Sequence, residues 1–287
     1  MTEPSVATPA PSEPVAPDLS VPLGNPTIAG TFLALLLRDL TVLRKNLREF
    51  IPRTILQPLL LVFVFTYVFP KIGQSIGGGP AGSAEFSTLL VAGVLGITIL
   101  FQGIQSTALP LVQEFGYTRE IEDRVLAPLP IELVAIEKIV AGAIQCVIAA
   151  LIVFPIAWVV PATPVALDVN WPVLLTLTPL ACLFSASIGL TFGTIFQPRT
   201  VPILFGVVVV PMTFLGCVYY SWQSLEPIRW LQIVVLLNPL VYICEGFRAA
   251  LTPVPHMSLW AIYGVVILGT GVFATIAIRF FKRRVIA

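Results

Sequence analysis

The sequence predicts an all-α integral membrane protein. Six transmembrane helices follow an N-terminal amphipathic interface helix, with an external re-entrant helical segment before the last span. Three observations carry that reading. The 287 residues are 57% hydrophobic and 11% charged, where a soluble domain carries roughly 25% charged residues. Mean hydropathy is +0.95. Six apolar segments reach the ~20 residues that a helix needs to cross a bilayer, near 51–70, 87–112, 132–160, 172–196, 201–221 and 257–279.

The elements follow in order. Residues 1–25 are rich in Pro, Ala, Ser and Val and hold no Lys or Arg. Such a segment buries too little to offset its ordering entropy, and it reads as a disordered tail. It lacks the basic and apolar regions of a signal peptide. Residues 26–50 form the interface helix. Leu33, Leu36, Leu40, Leu43, Leu47 and Phe50 recur at steps of three and four, with Arg38, Thr41, Lys45 and Arg48 on another face. That pattern suits a helix in the headgroup layer, leucines in lipid and cations near phosphates. A soluble helix packed on a partner is the alternative. Residues 51–287 make the transmembrane domain, whose third span is long enough to tilt. Ala181, Ser185, Gly189 and Gly193 fall four apart on one face of the fourth span. Small residues at that spacing let helix backbones approach closely, within one subunit or between two. Residues 222–250 are apolar but broken by Pro227 and Pro239. They read as short helices dipping partway into the membrane, allowed where protein covers the loose backbone.

Lys and Arg set the orientation. With a cytoplasmic amino terminus, every Lys and Arg except Lys71, Arg229 and Arg248 falls inside. This bias places both termini in the cytoplasm and 222–256 outside. A net charge of +1 gives no basic stripe for nucleic acid. His256 is the only histidine, with no ligand spacing around it, so a metal site is not expected. The four cysteines are scattered singly and read as small buried hydrophobes; a disulfide between Cys217 and Cys244 stays open.

No catalytic constellation is present, and no Lys follows a Gly, so no phosphate-binding loop exists. If ATP drives this protein, a separate subunit must bind it. The spans are nearly free of ionisable groups at mid-depth, which disfavours a proton- or ion-coupled transporter working alone. The exception to this greasiness is "EFGYTREIEDRVLAPLP", residues 114–130, between the second and third spans. Charges there mix with Phe115, Tyr117 and Ile121. The mixture suits a docking surface; a solvated connector shielded by its own salt bridges is the alternative.

Three stretches together resemble one family, the permease subunits of type 2 ABC exporters. They are "RDLTVLRKNLREFIPRTILQPLLLVFVF", "QEFGYTREIEDRVLAPLP", and "PMTFLGCVYYSWQSLEPIRWLQIVVLLNPLVYICEGFRAAL" with its Asn-Pro-Leu and Glu-Gly-x-Arg elements. The last element is similar to the drug-exporter and nodulation-factor-exporter branch. The resemblance implies two six-span permeases, as a homo- or heterodimer in the plasma (inner) membrane lipid, above two cytoplasmic ABC ATPase subunits. ATP and Mg would sit in those subunits, with no cofactor and no catalytic site in this chain. Residues 114–126 would be the coupling helix, with Glu114, Phe115, Tyr117, Arg119, Glu122, Asp123 and Arg124 meeting the ATPase. Arg38, Lys45 and Arg48 of the interface helix would flank it. The 222–250 segment would close the exit, with Asn238, Glu245 and Arg248 at an external gate.

Glu245 and Arg248 at i,i+3 are read either as a helix surface pair or as a gate lock. The expected translocation path is apolar and aromatic, with Gln102, Gln105, Thr107, Phe205, Met212, Phe214 and Tyr219 along it. The leading functional expectation is an ATP-driven exporter of a drug, lipid or glycolipid by alternating access. A lipid-linked glycan exporter, a stand-alone secondary transporter and an assembly factor are the alternatives.

Overall fold

The computed structural model describes residues 27–73, 79–115, 129–161, 165–196, 200 and 205–286. The predicted tail, and Tyr117, Arg119, Glu122, Asp123 and Arg124, lie outside these residues. Among the described residues the chain is all helical. Five helices are long and apolar enough to cross a membrane, and a sixth crossing arises if one bent pair counts as a span.

Helix α1 is Ile28–Lys45. Thr27 opens it, its hydroxyl accepting from Gly30 N at 3.2 Å. Arg44 and Lys45 close it, cations at the negative end of the helix dipole. The chain turns at Asn46, and α2 runs Leu47–Lys71. The helix expected over 26–50 is thus divided at Asn46, and Leu47–Phe50 open α2. Leu33 and Leu37 are exposed, as are Arg38, Lys45 and Arg48, while Leu43 is buried. Helix α2 is irregular. It carries Pro52 and Pro58 inside, and residues Phe63–Val68 form a π-helix. Each proline removes a backbone donor from the helix ladder.

Helices α3 (Gly79–Gln113), α4 (Ile131–Val159) and α5 (Trp171–Ile195) form the centre. Helix α9 (Leu259–Ile286) closes the chain. Hydrophobic burial drives little association in lipid, so close packing must hold such helices together. The small residues do this. A Cβ on Gly189 would lie 2.2 Å from Thr107 Oγ1 and 2.6 Å from the Gly103 carbonyl, and one on Gly103 would lie 2.4 Å from Ser185 Cβ. Gly193 abuts Ala108 and Leu111. The stripe Ala181, Ser185, Gly189 and Gly193 therefore seats α5 on α3 within one subunit. Thr107 crosses the same seam, donating to the carbonyls of Gly103 at 2.8 Å and Ala186 at 3.2 Å.

The predicted fifth span, 201–221, is the main departure. In its described part a π-helix, Phe205–Val209, leads into the short α6, Val210–Phe214. The helix stops there. Cys217 takes φ +54°, a left-handed turn that no helix continues through. The chain then passes through a 3-10 turn, Gln223–Leu225, to α7 (Arg229–Val234), which tightens into Val235–Leu237. Helix α8 is Pro239–Leu251. The pair Arg229–Leu237 and Pro239–Leu251 is bent by 99°. Pro239 accounts for the bend, because it lacks an N–H and forces Asn238 into extended backbone at ψ 116°. Asn238 then caps α8, accepting from Leu240 N at 3.0 Å, and ties it to α6 by donating to the Met212 carbonyl at 2.7 Å.

The bundle has two distinct ends. One gathers Asp39, Glu114, Lys138, Glu132, Lys282 and Arg284. The other gathers the α7–α8 hairpin and exposes Trp171, Trp230 and Trp260 at the starts of α5, α7 and α9. Indole rings so placed suit a membrane–water boundary. The most apolar windows of α2 and α9 are only 22% and 17% buried, against 72% in α3. Helices α2 and α9 therefore face outward and α3 is the core.

Candidate functional site

Three polar groups stand out in this apolar bundle. The first roots the segment 116–128. On its amino side, Glu114 is 6% exposed. Its Oε1 accepts from Lys138 Nζ at 2.6 Å, and Asp39 Oδ2 lies 3.8 Å from the same ammonium. Burying one charge here costs several kcal/mol unless it is paired, so three helices contribute to one cluster. Phe115 packs edge-on against Phe281 at 6.0 Å, and the Arg284 guanidinium lies 4.5 Å over its ring. Arg284 also donates to the carbonyls of Gly193 at 2.9 Å and Phe196 at 3.0 Å, covering the end of α5. On the carboxyl side, Leu129 is buried, and Glu132 pairs with Lys282 at 2.5 Å, half exposed.

Glu114 is thus held in an internal ion pair, and Phe115 packs against Phe281 and Arg284. Charge this close to the apolar slab must find a counter-charge, and Lys138 lies within reach once α3 and α4 pack. Asp39, Lys138 and Arg284 were missed as members of this cluster. Their only sequence signal is an ionisable group beside a spanning stretch.

The second group lines a cavity of about 610 Å³ between α1, α2, α3 and α4. Its walls carry Arg38, Asp39, Glu49, Arg53, Glu114 and Lys138, and the carboxamides of Asn46, Gln102, Gln105, Gln113 and Gln145. Gln102 Oε1 accepts from Thr54 at 3.4 Å. Of the expected path residues, only Gln102 and Gln105 line it. Thr107 is 1% exposed and belongs to the α3–α5 seam. Phe214 and Tyr219 lie at the other end, Tyr219 packing on Phe65 at 5.5 Å and on Phe214 at 6.3 Å. The Met212 carbonyl is taken by Asn238. The side chain of Phe205 lies outside the described residues. Among the described side chains, Gln102 and Gln105 share one cavity, Thr107 lies in the seam, and Phe214 and Tyr219 pack together elsewhere.

The third group is Glu245–Arg248 in α8. Both are 0% exposed, with Arg248 Nη1 2.5 Å from Glu245 Oε1. The carboxylate also accepts from Trp222 N at 2.8 Å and from Met257 N at 2.9 Å. Arg248 Nη2 donates to the Cys217 carbonyl. The pair is therefore a buried lock and not a surface pair. It ties α8 to the turn at 217–222 and to the chain entering α9. All four cysteines are free thiols, so Cys217 and Cys244 are not bonded to each other. Cys244 Sγ points at the Gly93 carbonyl across the α3–α8 contact instead.

The sequence is similar to those of known proteins. The inner membrane transport permease YadH of Escherichia coli (strain K12) is 26% identical over 221 residues, which cover 75% of this chain and 82% of that protein. The protein of the same name in Shigella flexneri is similar to the same extent. The family model of the ABC-2 type transporter matches residues 31–252, from α1 to the end of α8. The chain belongs to the ABC-2 type transporter family, as a multi-pass membrane permease subunit.

Proposed function

We propose that this chain is the membrane half of an ATP-driven exporter, moving a hydrophobic or amphipathic molecule from the cytoplasm or inner leaflet outward. Family membership implies a partner ABC ATPase in general terms. The two-fold arrangement, the direction and the coupling route are the further reading. Two permeases pair in the inner membrane, and two ATPase subunits bind beneath them, holding ATP and Mg. The ion-paired end of the bundle faces the cytoplasm in this reading, which the distribution of Lys and Arg supports.

One observation carries the coupling route. The described residues on either side of 116–128 are anchored in the bundle, Glu114 and Phe115 before it and Leu129 and Glu132 after it. A push on that segment reaches α1 through Asp39, α4 through Lys138, and α5 and α9 through Arg284. ATP binding then acts by favouring one of two bundle arrangements, which requires a contact that differs between them. The acids Glu122 and Asp123 of the sequence motif supply that contact in this reading. Charge reversal of both, Glu122→Lys with Asp123→Lys, is expected to leave membrane insertion intact while ATP hydrolysis no longer drives transport. Unchanged transport in the double variant would refute their coupling role.

A further inference from the structure

The carboxyl end of α9 carries Arg279, Lys282, Arg283 and Arg284. Two of these cations have partners inside the bundle. Arg284 covers the end of α5 and the Phe115 ring, and Lys282 pairs with Glu132. Arg279 and Arg283 are exposed and make no ion pair among the described residues. The helices around them supply no counter-charge. Helix α9 packs on α4, α5 and α8. Helix α5 holds no acid, and the acid of α8 is Glu245, buried against Arg248. The acids of α4 are Glu132, already on Lys282, and Glu137, which is buried.

The length of the helix sets the level of these two arginines in a bilayer. Trp260 is 91% exposed in the first turn of α9, and an indole so placed marks the membrane–water boundary. From Trp260 to Arg279 the helix rises about 28 Å at 1.5 Å per residue, close to the ~30 Å thickness of a hydrocarbon core. Arg283 lies about 6 Å further on, within the opposite headgroup layer. Leu268, Val272, Thr275, Arg279 and Arg283 follow at steps of three and four, and all are exposed. They therefore form one outward stripe. The Thr275 hydroxyl is spent on the Gly271 carbonyl at 2.7 Å, so the apolar part of the stripe presents no free donor. Phe280 is 38% exposed beside the stripe, and the Arg283 guanidinium lies 5.8 Å from its ring centroid. That contact holds the Arg283 head back toward the level of Arg279. Guanidinium groups donate paired N–H bonds to phosphate oxygens. An apolar flank that ends in two unneutralised guanidinia is complementary to a single anionic lipid. An acidic surface beneath the bundle would instead meet cations at the tip of the helix, not along its lipid-facing flank.

We infer that Arg279 and Arg283 bind the phosphate of an anionic phospholipid, such as phosphatidylglycerol, with its acyl chains along Leu268, Val272 and Thr275. The inference is independent of the exporter reading. The full chain with its co-purified ATPase is placed in phosphatidylcholine nanodiscs holding a trace of phosphatidylglycerol with a diazirine in its acyl chain. After irradiation the label is mapped by peptide mass spectrometry. It is expected on the α9 segment from Leu268 to Phe280, and phosphatidylcholine bearing the same diazirine is expected to label that segment far less. Each surface cation favours an anionic lipid about fivefold. Arg279→Gln with Arg283→Gln is therefore expected to lower phosphatidylglycerol labelling of α9 about twenty-fivefold. Arg279→Lys with Arg283→Lys keeps both charges and is expected to keep most of the labelling. In the wild type, unlabelled phosphatidylglycerol is expected to compete and added phosphatidylcholine is not. That comparison decides the question if the Gln variant fails to fold, which its melting temperature reports. Equal labelling of α9 by the two lipids, or undiminished labelling in a folded Gln variant, would overturn the site. Selection of phosphatidylglycerol by the permease alone that disappears in the complex would assign the two arginines to the ATPase surface and also overturn it.

Discussion

Glu245→Ala removes the acceptor of three donors at once: the Arg248 guanidinium, Trp222 N and Met257 N. All of this takes place where Glu245 and Arg248 are 0% exposed. Breaking a buried ion pair by deleting one partner costs about 3–5 kcal/mol. The two orphaned amides add to that, since each unpaired buried donor costs about 1–3 kcal/mol. The loss falls on the turn at 217–222, which the pair ties to α8. Local opening of that turn exposes Cys217, a free buried thiol. A loss of 3 kcal/mol raises the open population by roughly a hundredfold, at 1.4 kcal/mol per factor of ten. Maleimide labelling of the purified full chain, followed by mass spectrometry of the Cys217 peptide, reads that population directly. Cys182, fully buried in α5, is the internal control. Cys217 in Glu245→Ala is expected to label about a hundredfold faster than wild type, with Cys182 unchanged. Arg248→Met is expected to give a smaller effect, because the Glu245 carboxylate keeps two backbone donors, Trp222 N and Met257 N. Wild-type labelling of Cys217 in Glu245→Ala, or a larger effect in Arg248→Met, would refute the lock.

Other expectations follow from the same geometry. Gly189→Val places a side chain 2.2 Å from Thr107 Oγ1 and 2.6 Å from backbone of α3, and size-exclusion profiles should show aggregated protein. Gly271→Ala, with nothing within 4 Å, should elute as wild type. Lys138→Met leaves Glu114 and Asp39 without their shared cation and should destabilise by about 3–5 kcal/mol, read as a lowered melting temperature; adding Glu114→Gln should recover much of it. Arg284→Gln loses both the cover on the α5 carbonyls and the contact with Phe115, together about 1–2 kcal/mol. Its melting temperature should fall by less than that of Lys138→Met.

The long helices were legible because apolar length is a local property. Helices α3, α4, α5 and α9 occupy the stretches where uninterrupted hydrophobic residues stand. The segment 201–221 is equally apolar, yet its helix stops at Phe214. What ends it is tertiary: the turn at Cys217 presents its carbonyl to Arg248, a residue 31 positions away. The same holds for Glu114. Its sequence neighbours are charged and aromatic, which reads as surface, while Lys138 lies 24 positions on and becomes adjacent only when α3 and α4 pack. The small-residue stripe on α5 showed that a close contact exists. Its partner, α3, could not be read, because GxxxG-like spacing is the same for an internal seam and a dimer. Thr107 looked like a path residue because a hydroxyl in a span is ambiguous; its bond to the Ala186 carbonyl assigns it to the seam. The prolines at 227 and 239 did foretell the broken hairpin, since the restriction they impose on the backbone is local.

The measurement that bears most directly on a permease driven from outside is its energy source. The tagged chain is purified from membranes in mild detergent, its stoichiometric partners are identified, and the complex is reconstituted in vesicles. An ABC ATPase is expected at one copy per permease, with transport of an amphipathic dye that needs hydrolysable ATP and ignores ion gradients. A permease that purifies alone and moves the dye on a proton or sodium gradient would contradict it.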